Sequence, residues 1–482
     1  MERRAHWDAI AEKLPNWRGW GGTYHRRLAE IYRQLIKPGQ RVLELGCGQG
    51  DLLAALQPGV GVGVDFSAGM IRNACQLHSD ANLRFELRDA HDLSGLSANL
   101  DPVKDRIPFD AIILSDLLND VWDVQTILEQ AAHLSHPGTR LIINSYSRLW
   151  ELPLTLAKQL GLAQPMLTPN WLTVEDITNL AGLAGFDVFR RWHEVLWPLR
   201  TPGLDALCNR YLVHLWPFQH MALANLIVAR PVPSAPVLPI EAKLPSVSVI
   251  VPARNEAGNI PQIFARCPEM GNQTELIFVE GHSSDDTYAA IEASMASNPG
   301  RPARLYHQAG IGKGDAVRLG FAQARGDIVM ILDADLTVPS EDLPRFYEAL
   351  RSGKGEFING VRLVYPMEKQ AMRFFNFLGN KFFSLTFSWL LGQPVKDTLC
   401  GTKALWRADY EKIAANRVYF GDFDPFGDFD LLFGAVHLCR KIVDLPVRYR
   451  ERTYGTTNIQ RWKHGWLLLK MVSIAAKRLK FI

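Results

Sequence analysis

Short apolar runs rich in β-branched residues alternate with helical stretches along most of the chain. In the first half, these runs lie at 41–45, 61–65, 83–87, 111–114 and 140–144. In the second half, they lie at 247–251, 275–279, 304–306 and 327–332. Strands that alternate with helices are typical of βαβ units, which build mostly parallel sheets. The pattern therefore predicts an α/β fold.

Residues 231–245 interrupt the alternation with five prolines in fifteen positions. Proline has no backbone N–H and a fixed φ, so neither a helix nor a central strand is expected there. We predict a semi-rigid, extended linker. Since 482 residues exceed the usual size of one hydrophobic core, we expect two doubly wound domains, 1–230 and 246–460, followed by a basic amphipathic helix at 461–482.

The composition is that of a folded protein, with 47% hydrophobic and 21% charged residues. The six cysteines are scattered without a C-x-x-C pair, which favours buried thiols over a zinc site or disulfides. Neither a cleavable signal nor an apolar run of eighteen residues is visible. We expect a cytoplasmic protein that contacts the inner face of a membrane at most peripherally.

Charge is distributed unevenly along the chain. Residues 1–240 hold 22 Lys and Arg against 24 Asp and Glu, whereas 441–482 hold ten against two. The acidic first half has no basic and aromatic patch, so we expect no nucleic-acid partner. The basic tail requires an anionic partner or a solvated face.

The first strand opens into a glycine turn, with Glu44 in the strand and Gly46, Gly48 and Gly50 in the turn. Glycine permits positive φ and close approach of a ligand to the backbone. The second strand ends at Asp65, where a carboxylate can accept hydrogen bonds from ribose hydroxyls.

This arrangement resembles class I S-adenosylmethionine-dependent methyltransferases over about residues 20–230. The resemblance implies that Glu44 and the three glycines line S-adenosylmethionine and that Asp65 contacts its ribose. Asp89, after the third strand, fits either the adenine site or a surface carboxylate. The methyl acceptor cannot be identified from these motifs, and position alone suggests four candidate bases: Tyr24, His25, Asp116 and Tyr146.

Carboxylates also follow the predicted strands of the second half. Glu256 follows the first of these strands, and Glu280 and Asp285 follow the second. The fourth strand ends in a D-x-D pair, Asp333 and Asp335. Two such carboxylates can hold Mg²⁺ or Mn²⁺ against a diphosphate, because both ions prefer oxygen ligands.

The order of these strands resembles inverting family 2 glycosyltransferases with the GT-A fold, over residues 245 to about 460. The resemblance implies that Asp333 and Asp335 bind the metal. It also implies a nucleotide-sugar site formed by Pro252, Arg254, Glu256, Glu280, Asp285, Lys313, Arg318, Asp333 and Asp335. Lys313 fits either a donor contact or a solvated helix charge.

Within that family, the sequence most resembles the dolichyl- and polyprenyl-phosphate sugar transferases. Residues 372–391 form an apolar helical stretch that fits a domain core or, as the subgroup implies, a membrane interface. The subgroup also implies phosphate or acceptor contacts at Lys403, Arg448 and Arg452. Lys403 stands where the subgroup usually has arginine, so a planar guanidinium is replaced by a point charge. The helix at 462–479 fits an anionic membrane surface or a cap on the domain.

An alcohol acceptor requires a carboxylate base opposite the leaving group. Asp428 is our first candidate, followed by Asp430 and Asp397. A phosphate acceptor is already ionised and needs no base, which would leave the acidic loop at 421–430 structural or sugar-binding.

The sequence thus predicts a bifunctional enzyme. It transfers a sugar from a nucleotide-sugar donor to a polyprenyl phosphate or glycan, and a methyl group from S-adenosylmethionine to an unidentified acceptor. The alternative is a glycosyltransferase whose methyltransferase-like domain serves only for binding or scaffolding.

Overall fold

The computed structural model describes residues 2–13, 22–96, 109–159, 167, 169–233, 244–362, 374–417, 427, 429–450, 452, 454 and 461–481. The chain divides into two compact units, Met1–Val232 and Pro233–Lys480. Most of the predicted linker, residues 234–243, lies outside the described ranges. The two units are therefore described separately.

The first unit contains a seven-stranded sheet in the order β3-β2-β1-β4-β5-β7-β6. Its strands are β1 (Arg41–Leu45), β2 (Val60–Asp65), β3 (Leu83–Leu87), β4 (Ala111–Ser115), β5 (Arg140–Tyr146), β6 (Phe186–Glu194) and β7 (Ala224–Pro231). The first five pair in parallel, and β7 lies antiparallel between β5 and β6. The strand order switches sides at β1, with β2 and β3 on one side and β4 and β5 on the other, so the carboxyl end of β1 adjoins the crevice where α/β sheets bind ligands.

Helices cover both faces of this sheet. They are α1 (Glu2–Lys13), α2 (Gly22–Leu35), α3 (Asp51–Ala55), α4 (Ala68–Leu77), α5 (Val124–His133), α6 (Glu151–Gln159), α7 (Val174–Leu183) and α8 (Leu204–Arg210). Alternate residues of one strand enter different cores: Leu43 packs with α5 and α7, and Val42 packs with α2. Full burial of the central strands explains their continuous apolar sequence.

The second unit contains a seven-stranded mixed sheet in the order β10-β9-β8-β11-β13-β12-β14. Its strands are β8 (Val247–Ala253), β9 (Thr274–Glu280), β10 (Ala303–His307), β11 (Ile328–Ile331), β12 (Phe357–Val361), β13 (Lys403–Trp406) and β14 (Ile442–Pro446). Strand β13 runs antiparallel to both of its neighbours, and the remaining pairs are parallel. The carboxyl ends of β8, β9 and β11 therefore meet at one edge.

The helices of this unit are α9 (Ile260–Arg266), α10 (Thr287–Ser297), α11 (Lys313–Gln323), α12 (Leu343–Arg351), α13 (Phe374–Leu391), α14 (Arg407–Ala415), α15 (Phe429–His437) and α16 (Arg461–Ala475). Helix α13 lies within the predicted stretch 372–391. Its Phe387 and Leu390 are buried in the core with α15. Ser384 and Ser388 donate hydrogen bonds to the Val395 carbonyl, at 2.9 and 3.1 Å.

The predicted fold class is confirmed: two α/β domains, with the parallel strands close to their expected positions. The sequence pattern did not indicate β6, β7, β12, β13 or β14. Five of the six cysteines are buried and all six are free, whereas Cys75 on α4 is exposed. Within the described ranges, no helix combines the length and apolar content that crossing a membrane requires.

Candidate active sites

The turn after β1 is shaped by three glycines with positive φ: +72° at Gly46, +53° at Gly48 and +79° at Gly50. The Gly46 N–H donates to the Val64 carbonyl at 2.7 Å, which fastens the turn to β2. A Cβ at Gly46 would lie 2.6 Å from Leu117, whereas a Cβ at Gly48 would meet nothing within 4 Å. The turn is therefore closely packed at Gly46 and open at Gly48, where a ligand can approach the backbone.

Glu44 lies next to this turn and is 3% exposed. Burial raises the pKa of Glu44 to about 8, against a hydrogen bond from the Leu53 backbone that acts to lower it. Its Oε2 atom has no hydrogen-bond partner among the described residues. The ionised form of a buried carboxyl group without a partner is costly, so this atom favours a cationic or hydrogen-bond-donating ligand that offsets the cost.

Asp65, at the end of β2, braces the same turn. Its two oxygens accept hydrogen bonds from the backbone N–H groups of Gly48 at 3.0 Å and Ser67 at 2.9 Å. Burial raises the pKa of Asp65 above its ordinary value. The carboxylate thus joins the glycine turn to the start of α4.

Asp89 lies after β3 with an exposed side chain. Burial acts to raise the pKa of Asp89, but hydrogen bonds from His91 lower it overall. The His91 Nδ1 and backbone N atoms lie 2.6 and 3.0 Å from Asp89 Oδ1. This carboxylate is held in place by a local turn.

Three of the four candidate bases lie in one cluster after β4. Asp116, at φ +55°, accepts a hydrogen bond from Tyr24 at 2.8 Å and one from Asn144 at 2.6 Å. Tyr146 also donates to Asp116, and Tyr32 donates to Asn144 at 2.7 Å. Burial raises the pKa of Asp116 to about 7.

The cluster adjoins the glycine turn, because β4 pairs directly with β1 and Leu117 packs under Gly46. Tyr24 and Asn144 are buried, whereas Asp116 and Tyr146 stay partly exposed. His25 is exposed on α2, and its ring packs edge-on against Tyr24 with centroids 5.3 Å apart. Asp116 is therefore a partly exposed carboxyl group whose hydrogen-bond partners Tyr24 and Asn144 are buried.

In the second unit, Glu256, Glu280 and Asp285 gather at the carboxyl ends of β8 and β9. Glu280 accepts from the Ser283 N–H at 2.5 Å and pairs with His307 at 2.8 Å. Burial acts to raise the pKa values of Glu280 and Asp285, but hydrogen bonds from Ser283 and Thr287, respectively, lower them. The Asp285 Oδ2 atom also accepts from the Ala257 N–H at 3.3 Å.

The D-x-D pair follows β11, and a cation holds each of its aspartates. The Lys313 Nζ atom, at the start of α11, lies 2.6 Å from Asp333 Oδ1. Burial acts to raise the pKa of Asp333, but the Lys313 ammonium lowers it overall. A Cβ at Gly401 would lie 2.1 Å from Asp333 and 2.2 Å from Lys313, so only glycine leaves room for this pair.

Arg452 joins the two halves of this site. Its Nη1 donates to Glu256 Oε1 at 2.9 Å, and its Nη2 donates to Asp335 Oδ2 at 2.6 Å. Asp335 Oδ1 accepts from the backbone and hydroxyl of Thr337, at 3.0 and 2.8 Å. Burial raises the pKa of Glu256 to about 7, although Arg452 acts to lower it.

The other residues predicted for donor and acceptor binding lie in different settings. Pro252 pairs with Val279 in the sheet, and Arg254, which follows β8, is exposed. Arg448 is also exposed. Lys403 is fully buried in β13, and its ammonium donates to the Cys400 carbonyl. Lys403 therefore lies beneath the D-x-D pair rather than on an open acceptor surface, and it contributes to the low pKa of Asp333.

Two of the three predicted catalytic carboxylates are held by arginines, and Asp428 lies outside the described residues. Arg362 binds Asp397 through Nε at 2.7 Å and Nη2 at 2.9 Å. Burial acts to raise the pKa of Asp397, but Arg362 lowers it overall. Asp430 pairs with Arg417 at 2.7 Å and with Arg318 at 3.6 Å. A carboxylate in such pairs is a weak base.

The site provides oxygen ligands for a metal but does not complete its coordination. Among the described residues, no group of three or more His, Cys, Asp or Glu side chains is arranged to hold a metal ion. Asp333 and Asp335 alone fit an ion that takes its remaining ligands from a diphosphate and water, as Mg²⁺ commonly does.

Apolar side chains are exposed on two helices of the second unit that contact each other. Phe382 and Leu385 on α13, and Trp466 and Leu469 on α16, are all exposed. The opposite face of α16 places Leu468 in the core. Exposed basic side chains accompany these residues: Lys381, Lys470, Lys477 and Arg478.

Local sequence patterns did not reveal the partners of several functional residues. Asn144, Arg362, Arg417 and Tyr454 are examples; the Tyr454 hydroxyl donates to Asp285 at 3.3 Å. These residues lie 13 to 169 positions from the carboxylates that they contact, and no short motif includes both members of a pair.

Comparison with known proteins identifies both domains. Residues 36–188 match the family "Methyltransferase domain", and residues 248–413 match "Glycosyl transferase family 2". The chain is 28% identical over 236 residues to undecaprenyl-phosphate 4-deoxy-4-formamido-L-arabinose transferase of Edwardsiella ictaluri. That match covers 47% of this chain and 65% of the relative, slightly less than two thirds of the relative's length.

Two solved structures are each similar to less than half of the chain. Glucosyl-3-phosphoglycerate synthase of Mycobacterium tuberculosis, with Mn²⁺ and UDP, is 20% identical, with a TM-score of 0.36; the match covers 49% of this chain and 80% of that one. Magnesium protoporphyrin IX methyltransferase of Synechocystis PCC 6803, with bound SAH, is 20% identical, with a TM-score of 0.30; the match covers 43% of this chain and 83% of that one.

Proposed function

For this chain, with its methyltransferase domain and its glycosyl transferase family 2 domain, we propose two coupled activities. The second domain transfers a sugar from a nucleotide-sugar donor to a polyprenyl phosphate, with inversion and with Mg²⁺ or Mn²⁺. The first domain transfers a methyl group from S-adenosylmethionine to the same product or its precursor. The observation that carries the glycosyl transfer is the meeting of Glu256, Glu280 and Asp285 with the D-x-D pair at one sheet edge.

The five carboxylates have two roles at the donor site. Glu256, Glu280 and Asp285 accept hydrogen bonds from the nucleoside, and Asp333 and Asp335 bind the ion. When bound, the ion offsets the negative charge that develops on the departing nucleoside diphosphate. Lys313 lies 2.6 Å from Asp333, where its ammonium can also contact a phosphate.

The acceptor assignment is supported by the undecaprenyl-phosphate relative and by the exposed apolar residues of α13 and α16. Trp466, Phe382 and Leu385 suit the headgroup region of a membrane, and the basic residues beside them suit its anionic lipids. A phosphate acceptor is already ionised, which accords with the arginine pairing of Asp397 and Asp430. We therefore favour a polyprenyl phosphate over a glycan and expect peripheral contact with the membrane.

The methyltransferase site is supported by the open Gly48 and the uncompensated Glu44 Oε2. S-adenosylmethionine, when bound, supplies an electrophilic methyl group. Glu44 faces its cationic methionine portion, Asp65 its ribose, and Asp89 its adenine. Asp116 is positioned to take a proton from an acceptor hydroxyl or amine, since it is partly exposed beside the glycine turn.

A mass-spectrometric assay tests both activities. UDP-sugars are offered to the purified full chain with undecaprenyl phosphate in detergent, with and without S-adenosylmethionine and Mn²⁺. We expect a glycosylated lipid to form only when Mn²⁺ is present. With S-adenosylmethionine, the mass of this lipid should increase by about 14 units, because one methyl group replaces one hydrogen. Absence of any sugar or methyl transfer to lipid, glycan or nucleotide-sugar fractions would contradict the proposal.

Asp116→Asn tests the acceptor side of the methyl reaction. We expect methyl transfer to fall roughly 100-fold, the usual size of a general-base contribution. S-adenosylmethionine affinity, measured by calorimetry, should remain that of the unaltered chain. The rate of the unaltered chain should rise with pH through about 7, the pKa of Asp116, and this rise should be absent in the variant.

A further inference from the structure

Both aspartates of the D-x-D pair have an oxygen held by a cationic side chain. Asp335 is the clearer case, because each of its oxygens has a defined partner. Oδ1 accepts two hydrogen bonds from Thr337, and Oδ2 accepts one from Arg452 at 2.6 Å. The oxygen that Thr337 leaves available for an ion is thus the one that Arg452 holds.

Arg452 also has a second anchor, Glu256, on the nucleoside side of the site. Glu256 Oε1 accepts from Arg452 Nη1 at 2.9 Å, while Glu256 Oε2 accepts from Asn259 at 2.7 Å. A guanidinium has five N–H donors in a rigid plane, so it can bridge two carboxylates and can also exchange one of them for a phosphate. Lysine has three donors on one compact ammonium and lacks this rigid planar spacing, so it can reproduce the bridge only in part.

We infer that Arg452 is a positioning residue that exchanges Asp335 for the donor diphosphate when a divalent ion binds. The inference rests on the proposed glycosyltransferase function. Arg452 keeps its contact with Glu256, releases Asp335 Oδ2 to the ion, and turns its freed N–H groups to the phosphates. The ion and the guanidinium carry like charges and compete for the same oxygen, Asp335 Oδ2, so binding of either one weakens the contact of the other.

The exchange makes metal binding and nucleotide binding depend on each other. Without a nucleotide, the ion has to displace an arginine that gains no new anionic partner. With a diphosphate, the displaced guanidinium gains phosphate oxygens. Arg452 therefore opposes binding of the ion alone and favours binding of the ion together with the nucleotide, a coupling that acts equally on both ligands.

Mn²⁺ binding to the full chain, followed by electron paramagnetic resonance of the free ion with and without UDP, tests this inference. Arg452→Gln should bind Mn²⁺ alone about tenfold more tightly than the unaltered chain, which is the size of one lost charge-assisted hydrogen bond. Addition of UDP should raise the Mn²⁺ affinity of the unaltered chain about tenfold more than it raises the Mn²⁺ affinity of Arg452→Gln. The Mn²⁺ affinities of Arg452→Lys, with and without UDP, should lie between those of the unaltered chain and those of Arg452→Gln.

Arg450→Gln is the matched control, since Arg450 is an exposed arginine two positions away in the same segment. It should bind Mn²⁺ and UDP as the unaltered chain does. Equal Mn²⁺ affinity of Arg452→Gln and the unaltered chain in the absence of UDP would overturn the inference. If the unaltered chain bound Mn²⁺ neither alone nor with any nucleoside diphosphate, the proposed metal-dependent sugar transfer itself would fail. Thermal unfolding confirms folding, and Arg452→Lys carries the test if the glutamine variant does not fold.

Discussion

The two sites treat their carboxylates in opposite ways. Around the glycine turn, Glu44 and Asp65 are buried without an opposing cation among the residues that the structure describes, and burial raises their pKa values. At the D-x-D edge, Lys313 holds Asp333 and Arg452 holds Asp335. Unpaired buried carboxylates favour a ligand that brings positive charge, whereas paired ones release a cation when a metal arrives.

The difference accords with the ligands proposed for each site. S-adenosylmethionine carries a sulfonium and an ammonium, so an acidic and uncompensated cradle suits it. A nucleotide sugar carries a diphosphate, so its site needs positive charge as well as carboxylates. Glu256 lies between these cases, because burial raises its pKa to about 7 even though Arg452 contacts it.

The largest expected effect tests the paired site. Asp333→Asn removes an oxygen anion from the proposed metal site and should lower sugar transfer about 1000-fold, a typical size for lost electrostatic stabilisation. Mn²⁺-dependent release of UDP from a UDP-sugar is the measurement. Glu341→Gln, which alters an exposed carboxylate paired with Arg266, is the control and should retain full activity. Unchanged turnover of Asp333→Asn would refute the metal assignment.

A second change separates structural pairing from catalysis. Asp397→Asn leaves the largely buried Arg362 guanidinium without its anion and should lower the free energy of unfolding by about 3 kcal/mol. Denaturant unfolding is the measurement. Glu348→Gln breaks the exposed pair with Arg351 and should cost less than about 1 kcal/mol. A stable Asp397→Asn protein that has lost sugar transfer would instead support the predicted catalytic role.

The third change tests the unpaired site. Glu44→Gln should weaken S-adenosylmethionine binding by roughly 10- to 100-fold, because the cofactor loses one charge-assisted partner. Calorimetry on the full chain measures this. In the unaltered chain, affinity should increase as the pH rises toward about 8, since the ionised form of Glu44 binds the cation. A variant that binds as tightly as the unaltered chain at pH 8 would contradict the assignment.

The same substitution should change the pH dependence of stability. The folded chain keeps the Glu44 proton up to about pH 8, whereas the unfolded chain releases it near the ordinary value of 4.5. The free energy of unfolding should therefore decrease as the pH rises from 4.5 to about 8, and linkage makes this decrease about a few kcal/mol. Glu44→Gln should lack this part of the fall, and denaturant titrations at pH 5 and pH 8 would show it.

Local sequence signals were sufficient for the fold class and for the candidate carboxylates. Buried parallel strands are apolar throughout, and their polar ends follow directly, so the glycine turn and the D-x-D pair could be located. Strand β13 was missed because it has only four residues and begins with Lys403, a charged residue that is fully buried although such residues are usually exposed. Edge strands such as β6 also lack the continuous apolar run.

The pairing of charges could not be predicted from local sequence. Arg452 and Glu256 are 196 positions apart, and Arg362 and Asp397 are 35 apart. Only the folded sheet brings such groups together, so the sequence could identify ionisable residues but not which of them neutralise each other. The predicted roles of Arg452 and Asp397 depended on this missing information.

The distribution of thiols provides a practical handle on the first unit. Cys75 is the exposed cysteine among six, and it lies on α4, the helix that begins just after Asp65. A maleimide dye or a fluorinated tag should therefore attach at one position without removal of the buried cysteines. A probe at that point would report optically or by ¹⁹F resonance when the neighbouring cradle fills, in the intact two-domain chain.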